Sequence, residues 1–154
     1  MSDYSMELVW ERGEQPFVDM RYSRRHRIRL DGGLEITGSS SPGEVPEPMS
    51  DPAAIDPEEA FISALSSCHM LWFLALAGKQ GYRVDRYIDR PSGLLARGAD
   101  GRKSVTVVTL RPQVKFSGER VPDEVAFKAL HHDAHSLCYI ANSVKSEVRV
   151  EPQR

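Results

Sequence analysis

Cys68 and Cys138 are the only two thiols among 154 residues. Two cysteines make neither the disulfide framework of a small secreted domain nor a four-thiolate zinc site. What remains open to them is packing or redox chemistry. Cys68 falls on an apolar helical stripe, where the plain reading is a small buried hydrophobe. A reactive Cys68 needs a thiolate, and burial raises a thiol pKa, so it must borrow a cation. The helix dipole does not supply one, because its effect is confined to the first turn. Arginines are concentrated in Arg21-Tyr22-Ser23-Arg24-Arg25-His26-Arg27, a run that also reads as a solvated basic edge discouraging sheet aggregation. A buried arginine needs a counter-ion, and Glu58 is one option, beside its favourable place at a helix N-terminus. Glu58 and Cys68 are ten residues apart, about 15 Å along a straight helix. One compact site would then need a broken helix or a residue supplied by a partner chain.

Cys138 follows His131, His132 and His135. On a helix, His-x-x-His-x-x-Cys drifts around the axis, so three ligands on one ion are strained and no metal is expected. A metal-binding module built on His132, His135 and Cys138 is the weakest of the functional readings. The histidines otherwise read as a polar helix face, and Cys138 as a core thiol.

The elements that must position these residues follow from patterning. Residues 1–37 are β-like: Met6–Arg12 carries Leu8, Val9 and Trp10, and 26–37 forms a hairpin through Asp31-Gly32-Gly33. Residues 38–56 are rich in proline and serine and read as a long ordered loop or a flap. Asp56, Pro57 and Glu59 then open a central helix over about 57–78. Its apolar positions are Phe61, Ala64, Leu65, Cys68, Leu71, Trp72, Ala75 and Leu76, and from Met70 onward nearly every face is apolar. Residues 82–117 read as strands, with Tyr82–Arg97 and Lys103–Ser117 joined by Ala99-Asp100-Gly101. Pro122 and Asp123 open a second helix, which with the Cys138 segment runs over 122–145, and Glu147–Val150 closes the chain as a strand. Without strict βαβ alternation this is an α+β fold with mostly antiparallel sheet, read as one domain. A helix buried all round needs two covering layers, and one small sheet supplies one, so a homodimer is expected.

Composition excludes other classes. Forty per cent of residues are hydrophobic and 27% charged, an ordinary globular balance. Twenty basic residues against 22 acidic ones leave a charge of −2, so no nucleic-acid partner is expected. The N-terminus has no signal-peptide pattern, and the longest apolar run, Met70–Ala77, is far short of the roughly 20 residues that span a bilayer. The expectation is a soluble cytoplasmic protein with no membrane partner.

Asp56-Pro57-Glu58-Glu59-Ala60-Phe61 followed by Ala64-Leu65-Ser66-Ser67-Cys68-His69-Met70 resembles the central helix of the OsmC/Ohr family of thiol-dependent hydroperoxide reductases. Ala134-His135-Ser136-Leu137-Cys138-Tyr139-Ile140-Ala141-Asn142-Ser143 is similar to the family's second-cysteine segment, and Tyr22-Ser23-Arg24-Arg25-His26 with Asp31-Gly32-Gly33 to its N-terminal hairpin. The resemblance runs from about Trp10 to Val150 and is closer to the OsmC-like than to the Ohr branch. It implies an intertwined homodimer whose sheets wrap two central helices, with active sites at the interface. Cys68 would be the peroxidatic nucleophile, Cys138 the resolving thiol forming a disulfide with it, and Glu58 the carboxylate holding a catalytic arginine. Arg24 is favoured for that arginine, with Arg25 second and Arg21 and Arg27 as the other candidates. The substrate would be an organic hydroperoxide, with Phe61, Leu65, Met70 and Trp72 as apolar walls or as plain core. The reductant would be an external dithiol of lipoyl type or a small thiol, and no cofactor is implied. The alternative is a protein of the same fold that binds thiols or small molecules without peroxidase activity.

Overall fold

Leu8, Ile28 and Ile36 stand opposite one another across three neighbouring strands and set the register of the first sheet. The computed structural model describes residues 1–153, which form two compact units, Met1–Ala60 and the described residues from Phe61 onward. In the first unit β1 (Met6–Val9), β2 (His26–Leu30) and β3 (Glu35–Gly38) form an antiparallel sheet in that order. The β2–β3 turn passes through Gly33 at φ 87°, a left-handed conformation that glycine adopts without strain. The proline-rich segment after β3 is an ordered loop. Ser39 N–H donates to the Ile55 carbonyl at 3.0 Å, Ile55 N–H to Thr37 at 3.1 Å, and Arg24 N–H to Met49 at 2.8 Å. These bonds satisfy backbone groups that the prolines keep out of a regular ladder.

Helix α1 spans Pro57–Lys79. Its start is a reciprocal capping box: Glu59 N–H donates to Asp56 Oδ1 at 2.7 Å, and Asp56 N–H to Glu59 Oε2 at 3.2 Å. It ends at Gly81 (φ 79°), where Tyr82 N–H returns to the Ala77 carbonyl at 2.9 Å. Gly78 lies inside the last turn and does not terminate the helix.

The buried face of α1 is Leu65, His69, Phe73 and Ala77. This corrects the expected stripe, because Ala64, Leu71 and Ala75 are exposed. It also corrects the expectation of burial all round, which one chain does not provide. The reason is compositional: apolar residues surround the axis, so hydrophobicity does not mark the covered side. By length and composition alone α1 would pass for a membrane span; of its buried side chains, Leu65, Phe73 and Ala77 pack into hydrophobic cores.

The second unit holds β4 (Arg83–Ile88), β5 (Ser92–Arg97), β6 (Lys103–Leu110), β7 (Gln113–Ser117), α2 (Glu124–Leu137) and β8 (Glu147–Val150). The two long strands expected over 82–117 are four, with Pro91 and Pro112 in the breaks, where a ladder would lose a donor. β4 pairs antiparallel with β7; β6 pairs antiparallel with β5 and parallel with β8. Two cores result. Phe73, Ala77, Leu130 and Ala134 join α1 to α2, while Leu65, Val108 and Leu110 join α1 to β6.

Candidate functional site

Helix α1 carries Cys68 half-buried, and the C-cap of α2 carries Cys138, only 1% exposed. The packing of α1 on α2 brings these two free cysteines, 70 residues apart in sequence, near enough that Cys68 acts on the Cys138 thiol. Asp123 starts α2 by accepting Ala126 N–H at 2.8 Å, a cap that helps fix where the helix ends. Just beyond Cys138, a short 3-10 turn at Ala141–Ser143 aims the Ala141 N–H at the Cys138 Sγ, 3.4 Å away. Burial, and then the neighbouring Cys68, push the Cys138 thiol up to about 11, with the Ala141 N–H pulling the other way. Cys138 is therefore a thiol, not a thiolate, at neutral pH.

Beside Cys68, His69 is fully buried, and its Nε2 lies 3.0 Å from Nδ1 of His131 on α2. The rings are parallel with centroids 5.4 Å apart, an edge-to-edge, in-plane hydrogen bond. Phe73 lies flat against His131 at 4.3 Å and Phe127 meets it edge-on at 4.7 Å. The expected polar histidine face is corrected here: His132 is exposed, but His131 is 3% exposed and sits in the core. Burial lowers His69 to about 4 and His131 to about 3, so both are neutral at physiological pH. The buried pair was not legible as a site in the sequence. The available signal was position, since His69 lies one turn from Leu65 and Phe73 on their face, and His131 lies one turn after Phe127.

Asp89 accepts the Ser66 hydroxyl at 2.5 Å and the Arg111 N–H at 2.6 Å, and its charge also acts on His69. The hydroxyl of Tyr87 is buried without a hydrogen-bond partner among the described residues, and burial raises its pKa above the ordinary range. Among the described residues, no three or more His, Cys, Asp or Glu side chains are grouped to hold a metal ion.

In the first unit, the Arg24 guanidinium donates to the carbonyls of Met20 and Tyr22 and lies 3.8 Å over the Tyr22 ring. Tyr22 in turn stacks on Phe17 at 4.7 Å and meets Trp10 edge-on at 5.4 Å. Arg25 pairs with Asp51 at 2.5 Å and Arg27 with Glu11 at 3.7 Å. Glu58 is half-buried and has no ion-pair partner among the described residues, and Arg24 is not bonded to it within one chain. Among the expected apolar walls, Leu65 is fully buried against β6 and belongs to the core. Phe61 packs on that cluster, Trp72 packs on the α1–α2 core and meets Tyr139 edge-on at 5.6 Å, and Met70 is half-buried.

A helix-borne cysteine meeting a second one across an α+β core of this topology defines the class. Residues 50–153 match the family model of OsmC-like proteins, and the chain belongs to that family. An OsmC-like protein of unknown function from Vibrio cholerae is similar over 99% of this chain and 100% of its own, at 49% identity and a TM-score of 0.98. The fold is shared with the organic hydroperoxide resistance protein OhrB of Bacillus subtilis (18% identity, 97% and 98% coverage, TM-score 0.67). It is shared as well with an OsmC-like protein from Mycoplasma pneumoniae (14%, 99% and 96%, TM-score 0.73). No functionally curated protein matches the chain significantly.

Proposed function

We propose that this protein is a thiol-dependent peroxidase that reduces organic hydroperoxides to alcohols. The observation that carries the reading is the proximity of its only two thiols, Cys68 and Cys138, near enough for one to act on the other. The Cys68 thiolate attacks one peroxide oxygen, the O–O bond breaks, and the leaving oxygen departs protonated as an alcohol. The Cys68 sulfenic acid then meets Cys138, which displaces water and closes a disulfide before overoxidation. An external dithiol of lipoyl type, or a small thiol, reduces that disulfide. Support from kinship is coarser: the family includes a protein named for organic hydroperoxide resistance, though at low identity.

Arg24 is the candidate cation and Glu58 the carboxylate that orients it through charge-assisted hydrogen bonds. Glu58 has no ion-pair partner among the described residues, which leaves it open to a guanidinium. Leu71, in the apolar second half of α1, is 60% exposed, which supports a homodimer that covers this face. The same reading places the enzyme in the cytoplasm, where free thiols persist. A binding protein of the same fold without peroxidase activity is the second reading. One observation favours it: Arg24 is already held by two carbonyls and a tyrosine ring.

The test is to treat the reduced protein with an organic hydroperoxide and seek a Cys68–Cys138 crosslink by mass spectrometry. Formation of the crosslink with consumption of peroxide is expected. Cys68→Ser abolishes consumption, and Cys138→Ser allows one turnover before overoxidation. A Cys68 that remains a free thiol sinks the peroxidase reading in favour of the second.

A further inference from the structure

Trp72 and Tyr139 meet edge-on, with ring centroids 5.6 Å apart and ring planes at 86°. The two rings come from the same two segments as the thiols. Trp72 lies four residues after Cys68 in α1, and Tyr139 directly follows Cys138 at the end of α2. Residues four apart on a helix are neighbours on one face, with Cβ atoms about 5–6 Å apart. Helical side chains also lean toward the preceding turn, so the indole of Trp72 lies over the turn that carries Cys68. From the other side, Trp72 packs on the cluster that holds Ala134 of α2, one turn before Cys138. The aromatic pair and the thiol pair are therefore adjacent links between α1 and the end of α2.

Folding does not account for the outer ring. Trp72 is half-buried and serves the α1–α2 core, but Tyr139 is 67% exposed. A ring left largely in water contributes little burial energy. Its mount is nevertheless fixed. Asn142 N–H donates to the Cys138 carbonyl at 3.0 Å, and Ser143 Oγ–H to the Tyr139 carbonyl at 2.7 Å. An aromatic ring held on such a turn, in solvent and beside two thiols, is placed as a contact surface for a bound molecule.

The angle between the rings decides what that surface favours. Aromatic rings attract one another either stacked with an offset or edge to face. Two planes at 86° form a corner, in which a third flat ring stacks on one wall and meets the other edge-on. A saturated ring of equal size makes the apolar contact but gains neither oriented interaction. We propose that Tyr139, braced by Trp72, is a specificity-determining residue that selects hydroperoxides bearing an aromatic ring over aliphatic ones of equal size. This role rests on the peroxidase reading above and deepens it by naming the organic group that the site prefers. An aryl ring joined to the carbon that bears –OOH stands a few bonds from the reacting oxygen. That separation suits the single helical turn, about 5.4 Å, between Cys68 and Trp72. Tyr139 takes no part in making or breaking bonds.

The test compares kcat/KM of the full chain for cumene hydroperoxide and for its saturated counterpart, in which cyclohexyl replaces phenyl. Dithiothreitol serves as the reductant. Both compounds are tertiary hydroperoxides of one carbon skeleton, and their rates with free cysteine correct for intrinsic reactivity. Wild type should prefer the aryl compound about fivefold, the scale of one aromatic pair. The preference should persist in Tyr139→Phe, which keeps the ring, and vanish in Tyr139→Leu, which keeps only apolar bulk. The loss in Tyr139→Leu should fall on the aryl compound, with kcat/KM for the cyclohexyl compound unchanged. Equal use of both compounds by wild type overturns the proposal, and so does a preference that survives in Tyr139→Leu. A Tyr139→Leu protein that fails to fold, or that sediments at a different mass from wild type, also overturns it, because the ring would then serve the fold or a contact between copies. If wild type consumes neither compound, the peroxidase reading fails, and binding of the two corresponding tertiary alcohols by saturation-transfer NMR decides the rest. Tighter binding of the phenyl alcohol, lost in Tyr139→Leu and kept in Tyr139→Phe, sustains the selectivity of Tyr139. Equal binding of the two alcohols overturns it.

Discussion

His69 and His131 are neutral in the folded chain because the core denies them a charge, and this links stability to pH. Their folded pKa values, about 4 and about 3, lie below the value of 6.5 that an exposed histidine has. Below pH 6.5 the unfolded chain takes up protons that the folded chain refuses, so stability falls as pH drops and is recovered as it rises. The slope is about 1.4 kcal/mol per pH unit for each histidine, or about 2 kcal/mol each by pH 5. Urea unfolding at pH 7 and pH 5 should show this loss in wild type and a smaller one in His131→Phe. Equal losses in the two proteins would mean that the pair is not the acid-sensitive element. At this scale the sequence was informative about Cys68 and Cys138, whose contexts are local. It was uninformative about the histidines, because an imidazole on a helix looks the same whether its face is covered or wet.

Among the elements, α2 does more than the patterning of 122–145 implied. It supplies Leu130 and Ala134 to the core, His131 to the buried pair and Cys138 to the thiol pair. All three depend on where the helix starts and stops. Asp123→Ala removes the acceptor of the Ala126 N–H and should cost about 1 kcal/mol. Thermal unfolding should show the midpoint lowered by about 2–4 °C, with Asp123→Asn retaining most of the stability. An unchanged midpoint would mean that packing alone holds the helix start. The start of α1 was readable from Asp56, Pro57 and Glu59 because a cap is a short-range device. Its buried face was not, because Leu65, Leu71, Phe73 and Leu76 give apolar character in every direction.

For the whole molecule, α1 is covered on the side of Leu65, His69, Phe73 and Ala77 and open at Leu71 and Ala75. A second copy of the chain is the cover proposed here, and it would also provide a counterpart for Glu58. Sedimentation should then give twice the 17.3 kDa chain mass. Leu71→Lys, which puts a charge where the partner would sit, should shift it to the single-chain mass with the helical content kept. A wild-type protein of single-chain mass at micromolar concentration refutes the dimer.

From the order of its residues this chain determined its α+β class, its hairpin, the capped start of its central helix and its two-thiol character. Each of these depends on neighbours within a few turns or on composition. The tertiary structure alone decided which face of α1 is buried and where Pro91 and Pro112 divide the strands. It alone also joined His69 to His131 and drew Cys138 to Cys68. These are contacts between residues about 60 to 70 positions apart, and no local propensity records them. They come from packing α1 on α2, in which one choice of buried stripe sets the thiols and the imidazoles together.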